Sequence, residues 1–321
     1  MDVLSDAIAV MRTGRPHSSR TVNFTPWGIR FPPSKGAGFH VVLQGSAWLL
    51  PPDDSAPVRL GPGDVVLLAH GTGHGLADHP DTPLVDAVLS PDGSWPTPPV
   101  RGPVGPDETL LLCGAYRLSR ARAHPLLTEL PPYVHIPARV GAHPRLRAAV
   151  DLLGAELAEP QPGSDAIVPA LLDTLLLYLL RTWWLAERAD RSTGWSAALA
   201  DPAVATALRA LHGDPARAWT VEDLGALTGL SRAAFARRFT ALVGRPPLAY
   251  LTWWRLTTAG RLLRTDLTLP LRTVAQRAGY SSEFAFAKAF KRAYGTAPGH
   301  YRRAAGASAG VGRLTPAGAV E

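Results

Sequence analysis

One cysteine, Cys113, stands in a chain of 321 residues. No intrachain disulfide can form, which excludes a disulfide-stapled secreted scaffold and fits a reducing cytoplasm. The first twelve residues lack the unbroken apolar core of a secretory leader, because Asp2 and Asp6 interrupt it. An uncharged run of membrane-spanning length is missing too. The most apolar stretch, Ile167 to Leu185, carries Pro169, Asp173 and Arg181, a set that few bilayer spans tolerate. It reads as a buried or interface helix, and no membrane partner is expected. Charged residues are scarce at 18% against 46% apolar, so the chain should fold into globular domains, two or three at this length.

The charge that is present is unevenly placed. From Asp201 to Arg303 there are 16 Lys and Arg against 6 Asp and Glu, a net of +10, whereas residues 1–199 carry 16 against 19, a net of −3. A solvated face is normally mixed in sign, so a basic C-terminal third points to a polyanionic partner, double-stranded DNA foremost.

Organisation follows composition. Up to about residue 140, short β-like runs alternate with turn residues: Phe39 to Leu43 before Gln44-Gly45, Ser46 to Leu50 before Pro51-Pro52, and Val65 to Ala69 after Gly61-Pro62-Gly63-Asp64. That pattern predicts an antiparallel β-sandwich or barrel, with further strands at Leu84 to Leu89 and Thr109 to Cys113 and a Pro/Gly-rich loop from Pro91 to Pro106. Residues 141–195 switch to helical spacing, with Leu146, Val150, Leu153 and Leu157 in one helix and a long apolar one from about Ile167 to Glu187. The long helix suits either the core or a dimer seam. Arg188 to Ser196 reads as a linker. Residues 200–304 are helical again, and 305–321 are small and Gly-rich, a disordered tail.

Within 200–304 the sequence repeats itself. Phe235 matches Phe286, Phe239 matches Phe290, Gly244 matches Gly295, Pro247 matches Pro298 and Tyr250 matches Tyr301, all 51 positions apart; Leu224, Gly225 and Gly229 match Val274, Ala275 and Gly279 at 50. Each copy predicts a short helix ending at a glycine, a tight turn, and a second helix capped by Ser231 or by Ser281/Ser282. The paired phenylalanines at i and i+4 form a buried stripe. The opposite faces carry the candidate DNA contacts: Arg232, Ala233, Ala236 and Arg237 in the first copy, Glu283, Phe284 and Lys288 in the second. Arg237 and Lys288 occupy equivalent positions and are the first choices for base or phosphate contact, while Arg238, Lys291 and Arg292 suit phosphates. A connector from Leu248 to Leu263 can space the two recognition helices by roughly 34 Å, one turn of DNA.

With those residues in place, the chain resembles the AraC/XylS family of bacterial transcription regulators. The likeness rests on Gly229-Leu230-Ser231, Arg238-Phe239, Tyr250-Leu251 and Arg255-Leu256, then Val274-Ala275, Gly279-Tyr280, Phe290-Lys291-Arg292, Pro298 and Tyr301-Arg302. It implies an all-α domain with two helix-turn-helix units, an asymmetric operator, and activation through RNA polymerase more often than repression. Ala233 and Ala236 are smaller than the family's usual contacting side chains, which shifts readout onto Arg232 and Arg237. Residues 1–140 resemble the cupin-like sensor that precedes such domains, through Phe39 to Gly45, Leu60 to Leu68 and His74. That resemblance implies a β-barrel responding to a small-molecule or redox effector, a helical region 141–195 that makes a homodimer, and a place in the cytoplasm at the nucleoid.

The metal-binding His-x-His pair of cupins is absent, since Val41 and Val42 follow His40. His40, His74 and Cys113 nonetheless lie in the barrel motifs, and zinc accepts mixed His/Cys ligands. A zinc site on those three, an oxidant-sensing Cys113, and plain buried side chains all stay open from sequence. A metal-dependent cupin enzyme with an appended helical module and an architectural DNA-coating protein are the rival functions. No catalytic set supports the enzyme, and paired caged helices exceed what coating needs.

Overall fold

The computed structural model describes residues 3–311 apart from 15, 35, 54, 88–104, 106–107, 119–123 and 188–193. Two compact units emerge, residues 12–190 and residues 1–11 together with 191–321.

In the first unit the alternation of strand and turn residues becomes, among the described residues, ten strands: β1 His17–Asn23, β2 Gly28–Phe31, β3 Ala37–Gln44, β4 Ala47–Leu50, β5 Val58–Leu60, β6 Val65–Leu68, β7 His74–Ala77, β8 Val85–Asp86, β9 Thr109–Tyr116 and β10 Val134–Ile136. Among the described residues they form two five-stranded sheets, ordered β1-β9-β3-β6-β10 and β5-β4-β7-β2-β8. The expected antiparallel sandwich or barrel is thus realised as two facing sheets, and among the described residues one parallel pair, β2 with β8, departs from the expected antiparallel pattern. Strand runs and turn residues predict how many strands there are, but which edges bond to which is decided by distant partners. Val42, Val66, Leu68 and Leu111 of one sheet pack on Phe31, Leu49, Leu60 and Leu76 of the other. Each buried side chain of this kind contributes roughly 1.5–3 kcal/mol. The Pro91 to Pro106 loop, but for Gly105, lies outside the described residues.

A short helix, α2 (Pro125–Thr128), precedes β10, and a helical pair, α3 (Pro144–Ala158) and α4 (Ser164–Glu187), completes this unit. The helices therefore group with the sheets and not apart from them, as the 141–195 division had it. The Tyr116 hydroxyl donates to the Leu172 carbonyl at 2.8 Å, and Arg12 pairs with Asp173. By length and composition α4 could cross a bilayer. Yet Leu172, Leu175, Leu176, Leu179 and Leu180 are buried within the unit, at no more than 2% exposure, and its central carboxylate is ion-paired.

The second unit is helical: α1 Val3–Met11, α5 Trp195–Ala200, α6 Pro202–Gly213, α7 Val221–Leu227, α8 Arg232–Val243, α9 Pro247–Thr265, α10 Leu271–Arg277, α11 Glu283–Tyr294 and α12 Pro298–Val311. The sequence placed residues 1–11 with the sensor, but here they belong to the helical unit. Val3, Leu4, Ala7, Ile8, Val10 and Met11 are buried, Arg264 donates to the Val10 carbonyl at 3.0 Å, and Asp6 lies 3.3 Å from His212 Nδ1. The expected tail is corrected in part, because α12 continues through Val311. The remainder, 312–321, and most of the expected linker, 188–193, lie outside the described residues.

Candidate nucleic-acid interface

The repeat read from sequence is a repeat of geometry. α7 and α10 end at Gly229 and Gly279, with φ of 70° and 73°, the left-handed region that glycine enters without a Cβ penalty. The chain then turns in the same way twice: Leu230 N–H donates to the Gly225 carbonyl and Tyr280 N–H to the Ala275 carbonyl, each at 2.9 Å. Ser231 caps α8 by accepting from the Ala234 amide at 3.3 Å. Ser282, and not its neighbour Ser281, caps α11 by accepting from the Ala285 amide at 3.4 Å. Phe235, Phe239, Phe286 and Phe290 are all 0% exposed. Helical periodicity then forces the opposite faces of α8 and α11 outward.

Those faces carry the expected residues. Arg232, Ala233 and Arg237 are exposed on α8, with Ala236 half-buried between them; Glu283, Phe284, Lys288, Lys291 and Arg292 are exposed on α11. Arg237 and Lys288 are each the sixth residue of their helix. Among the described residues neither makes an ion pair, and the same holds for Arg232, Lys291 and Arg292. Arg238 differs. Its guanidinium holds Asp201 through Nε at 2.6 Å and a second nitrogen at 2.5 Å. Asp201 is also the N-cap of α6, accepting from the Val204 amide at 2.9 Å. Partial burial would raise the Asp201 carboxyl, but the Val204 amide and Arg238 outweigh it and hold it below the usual range. Arg238 therefore ties α8 to α6, a use that competes with the phosphate contact expected of it.

Sequence reasoning missed the residues that hold the two helix pairs in register. Arg255 on α9 donates to the Pro215 carbonyl at 2.6 Å and the Arg217 carbonyl at 2.8 Å, and it lies against Gly279, where a Cβ would come within 2.8 Å of it. Tyr294 donates to the Leu256 carbonyl at 3.2 Å, reaching α9 at Gly260, where a Cβ would meet its hydroxyl at 2.4 Å. Thr220 and Asp223 form a reciprocal capping box at the start of α7.

The sheet unit does gather His40, His74 and Cys113. His40 and Cys113 are register partners on β3 and β9. His40 Nδ1 is 3.0 Å from the Cys113 sulfur and His40 Nε2 is 2.7 Å from His74 Nε2. His74 Nδ1 faces the Thr72 carbonyl at 3.2 Å, and this contact orders the whole chain. A carbonyl only accepts, so His74 carries its proton on Nδ1 and accepts at Nε2. His40 then donates from Nε2 and accepts at Nδ1, and the Cys113 thiol donates to it. Burial, followed by the neighbouring His74, pushes His40 well below the usual histidine range; burial lowers His74 to about 4 and raises Cys113 to about 12. All three are neutral at pH 7.

This arrangement does not fit zinc. Tetrahedral zinc holds nitrogen at about 2.0–2.1 Å and sulfur at about 2.3 Å around one point, whereas Cys113 and His74 lie against different nitrogens of the His40 ring. Among the described residues no group of three His, Cys, Asp or Glu is placed to hold a metal. Nor does it favour an oxidant sensor, which needs an accessible thiolate; Cys113 is a buried thiol held protonated.

A family described as cupin matches residues 2–184, and one described as helix-turn-helix domain matches residues 224–304. A putative AraC-like transcription regulator of Streptomyces lividans is 36% identical, over 94% of this chain and 98% of that protein. The RCS-specific HTH-type transcriptional activator RclR of Escherichia coli is 31% identical, over 82% of this chain and 83% of that one. Among solved structures, the DNA-binding domain of AdpA in complex with a target DNA is 36% identical, covering 33% of this chain and 95% of that domain with a TM-score of 0.31.

Proposed function

The chain belongs to the AraC-like family of DNA-binding transcription regulators, and on that premise we propose that α8 and α11 are recognition helices of two helix-turn-helix units that enter successive major grooves of one duplex. What carries the proposal is the twin cationic face. Two helices of equal length, capped and turned alike, bury their phenylalanines and expose Arg237 and Lys288 at matching positions. The 19-residue α9 is about 28 Å long at 1.5 Å per residue, close to the roughly 34 Å between successive grooves. Arg232 and Arg237 read bases in the first half-site, with Ala233 and Ala236 leaving room for close approach. Glu283, Phe284 and Lys288 face bases in the second, and Lys291 and Arg292 take phosphates.

The sheet unit is the sensor. A cavity of about 560 Å³ is lined by Arg30, Phe31, Leu50, His74 and Leu84, an apolar hollow with a polar rim that suits a small-molecule effector. The protonated, buried Cys113 weighs against a redox effector. Along α4, Ile167 and Leu185 are 43% and 59% exposed, and on α3 Leu152 is 58% exposed, a surface suited to a homodimer. The regulator acts in the cytoplasm at the nucleoid and activates transcription through RNA polymerase.

A selected-sequence screen at fixed salt, followed by footprinting, tests the reading. The expected footprint is one asymmetric site of about two helical turns. Arg237→Ala should relax preference at one base pair by about 1–3 kcal/mol. Equal weakening on every sequence would move Arg237 to a phosphate, and a footprint without boundaries would refute paired readout.

A further inference from the structure

The two recognition faces match in scaffold and differ in chemistry. At the first turn, where such helices approach base edges, α8 carries Arg232 and Ala233; the equivalent residues of α11, 51 positions on, are Glu283 and Phe284. Phe284 is 81% exposed, the most exposed phenylalanine among the described residues, while the other two phenylalanines of α11 are fully buried. It has no part in folding the helix pair: the core it would join is filled by Phe286, Phe290, Tyr294 and Tyr301. A phenyl ring left in water beside Lys288, on the face opposite that core, retains the hydrophobic gain of a contact it has yet to make.

What could cover it follows from what that face meets. The major groove offers one apolar group, the C5 methyl of thymine. A phenyl ring cannot pair with a base edge by hydrogen bonds, and it gains nothing from a phosphate. We infer that Phe284 makes the second half-site thymine-specific through contact with the C5 methyl, so that an operator pairs a guanine read by α8 with a thymine read by α11. The inference rests on the DNA-reading assignment of α11 made above.

Deoxyuridine separates it cleanly, because it removes the methyl and leaves every hydrogen-bonding group of thymidine unchanged. The full-length chain is titrated against its selected site, with each thymidine replaced in turn by deoxyuridine. At one position of the second half-site the wild type should lose about fourfold in affinity, the worth of one buried methyl group. Phe284→Ala should bind the thymidine site more weakly and show no loss on replacement. Phe284→Leu should keep part of the dependence. Arg237→Ala, a control at the other half-site, should weaken binding and keep the dependence entire. The inference is overturned if no replacement matters to the wild type, or if Phe284→Ala shows the same dependence. It is overturned equally if Phe284→Ala binds DNA as the wild type does but loses activation by purified RNA polymerase, which would assign the ring to a protein contact. Failure of the wild type to select any site would instead refute the DNA-reading assignment itself.

Discussion

Acid should destabilise the sheet unit by a predictable amount, because the chain from Cys113 through His40 to His74 works only when both imidazoles are neutral. His74 is lowered in the folded protein to about 4, whereas an unfolded histidine titrates near 6.5. Between those values the unfolded chain binds the extra proton, so stability is whole above about pH 6.5 and falls as the pH drops, levelling off below about 4. By pH 5.0 the loss through His74 alone is about 2 kcal/mol. His40 is shifted in the same direction and shares a proton with its neighbour, so its share is not simply additive. For a domain of this size the loss corresponds to a Tm lower by about 4–8 °C. The assay is thermal unfolding of the full chain at pH 7.5 and pH 5.0, beside His74→Gln, which lacks the titrating group and keeps a side chain able to hydrogen-bond His40. The histidines outside this pair titrate in both proteins, so the difference between the two pH dependences reports His74 together with its coupling to His40. Parallel losses in the variant and the wild type would refute the neutral, burial-lowered state of His74.

Two further changes probe the helical unit. Asp201→Ala removes the N-cap of α6 and frees Arg238. It should cost about 1 kcal/mol of stability while steepening the salt dependence of DNA binding by about one unit of slope, and an unchanged slope would show that Arg238 stays away from phosphates even when released. Gly260→Ala drives a methyl into the Tyr294 hydroxyl, which is fixed by its bond to Leu256 and by a ring stacked 4.2 Å from Phe290. A loss of about 1–3 kcal/mol is expected, partly restored by adding Tyr294→Phe; absence of any rescue would place the clash elsewhere.

The repeat was legible because its geometry demands residue types. Positive φ at Gly229 and Gly279 and the caps at Ser231 and Ser282 leave few alternatives, and the aromatic stripes follow from 3.6-residue periodicity. His40, His74 and Cys113 were recognisable as a group, since all three lie in the motifs that carry the cupin resemblance or its strands. Which ring nitrogen faces which partner depends on rotamers and on the Thr72 carbonyl, and that detail decides between a chelate and a hydrogen-bond chain. Arg238 looked free because its partner Asp201 lies 37 positions away on another helix. The first helix escaped notice because Asp6 breaks its apolar run; the same residue is the one that reaches His212.

Arg255 gives the helical unit a property that neither recognition face has alone. One guanidinium on the connector α9 holds the Pro215–Arg217 loop that leads into the first helix pair and at the same time occupies the space that a Cβ on Gly279, at the turn of the second, would need. Its fork donates to separate carbonyls in fixed directions, which a lysine's single ammonium cannot reproduce. A side chain bound to the loop before α7 and packed beside the turn after α10 transmits a displacement of either to the other. Spacing between α8 and α11 is therefore set by contacts made away from their exposed cationic faces. Binding energy at two grooves adds only while that spacing matches the duplex, because a helix held out of register gives up its whole half-site. On the proposed reading, affinity for an asymmetric operator depends on the Arg255 contacts, which face the protein, as well as on Arg237 and Lys288, the residues proposed to meet the DNA.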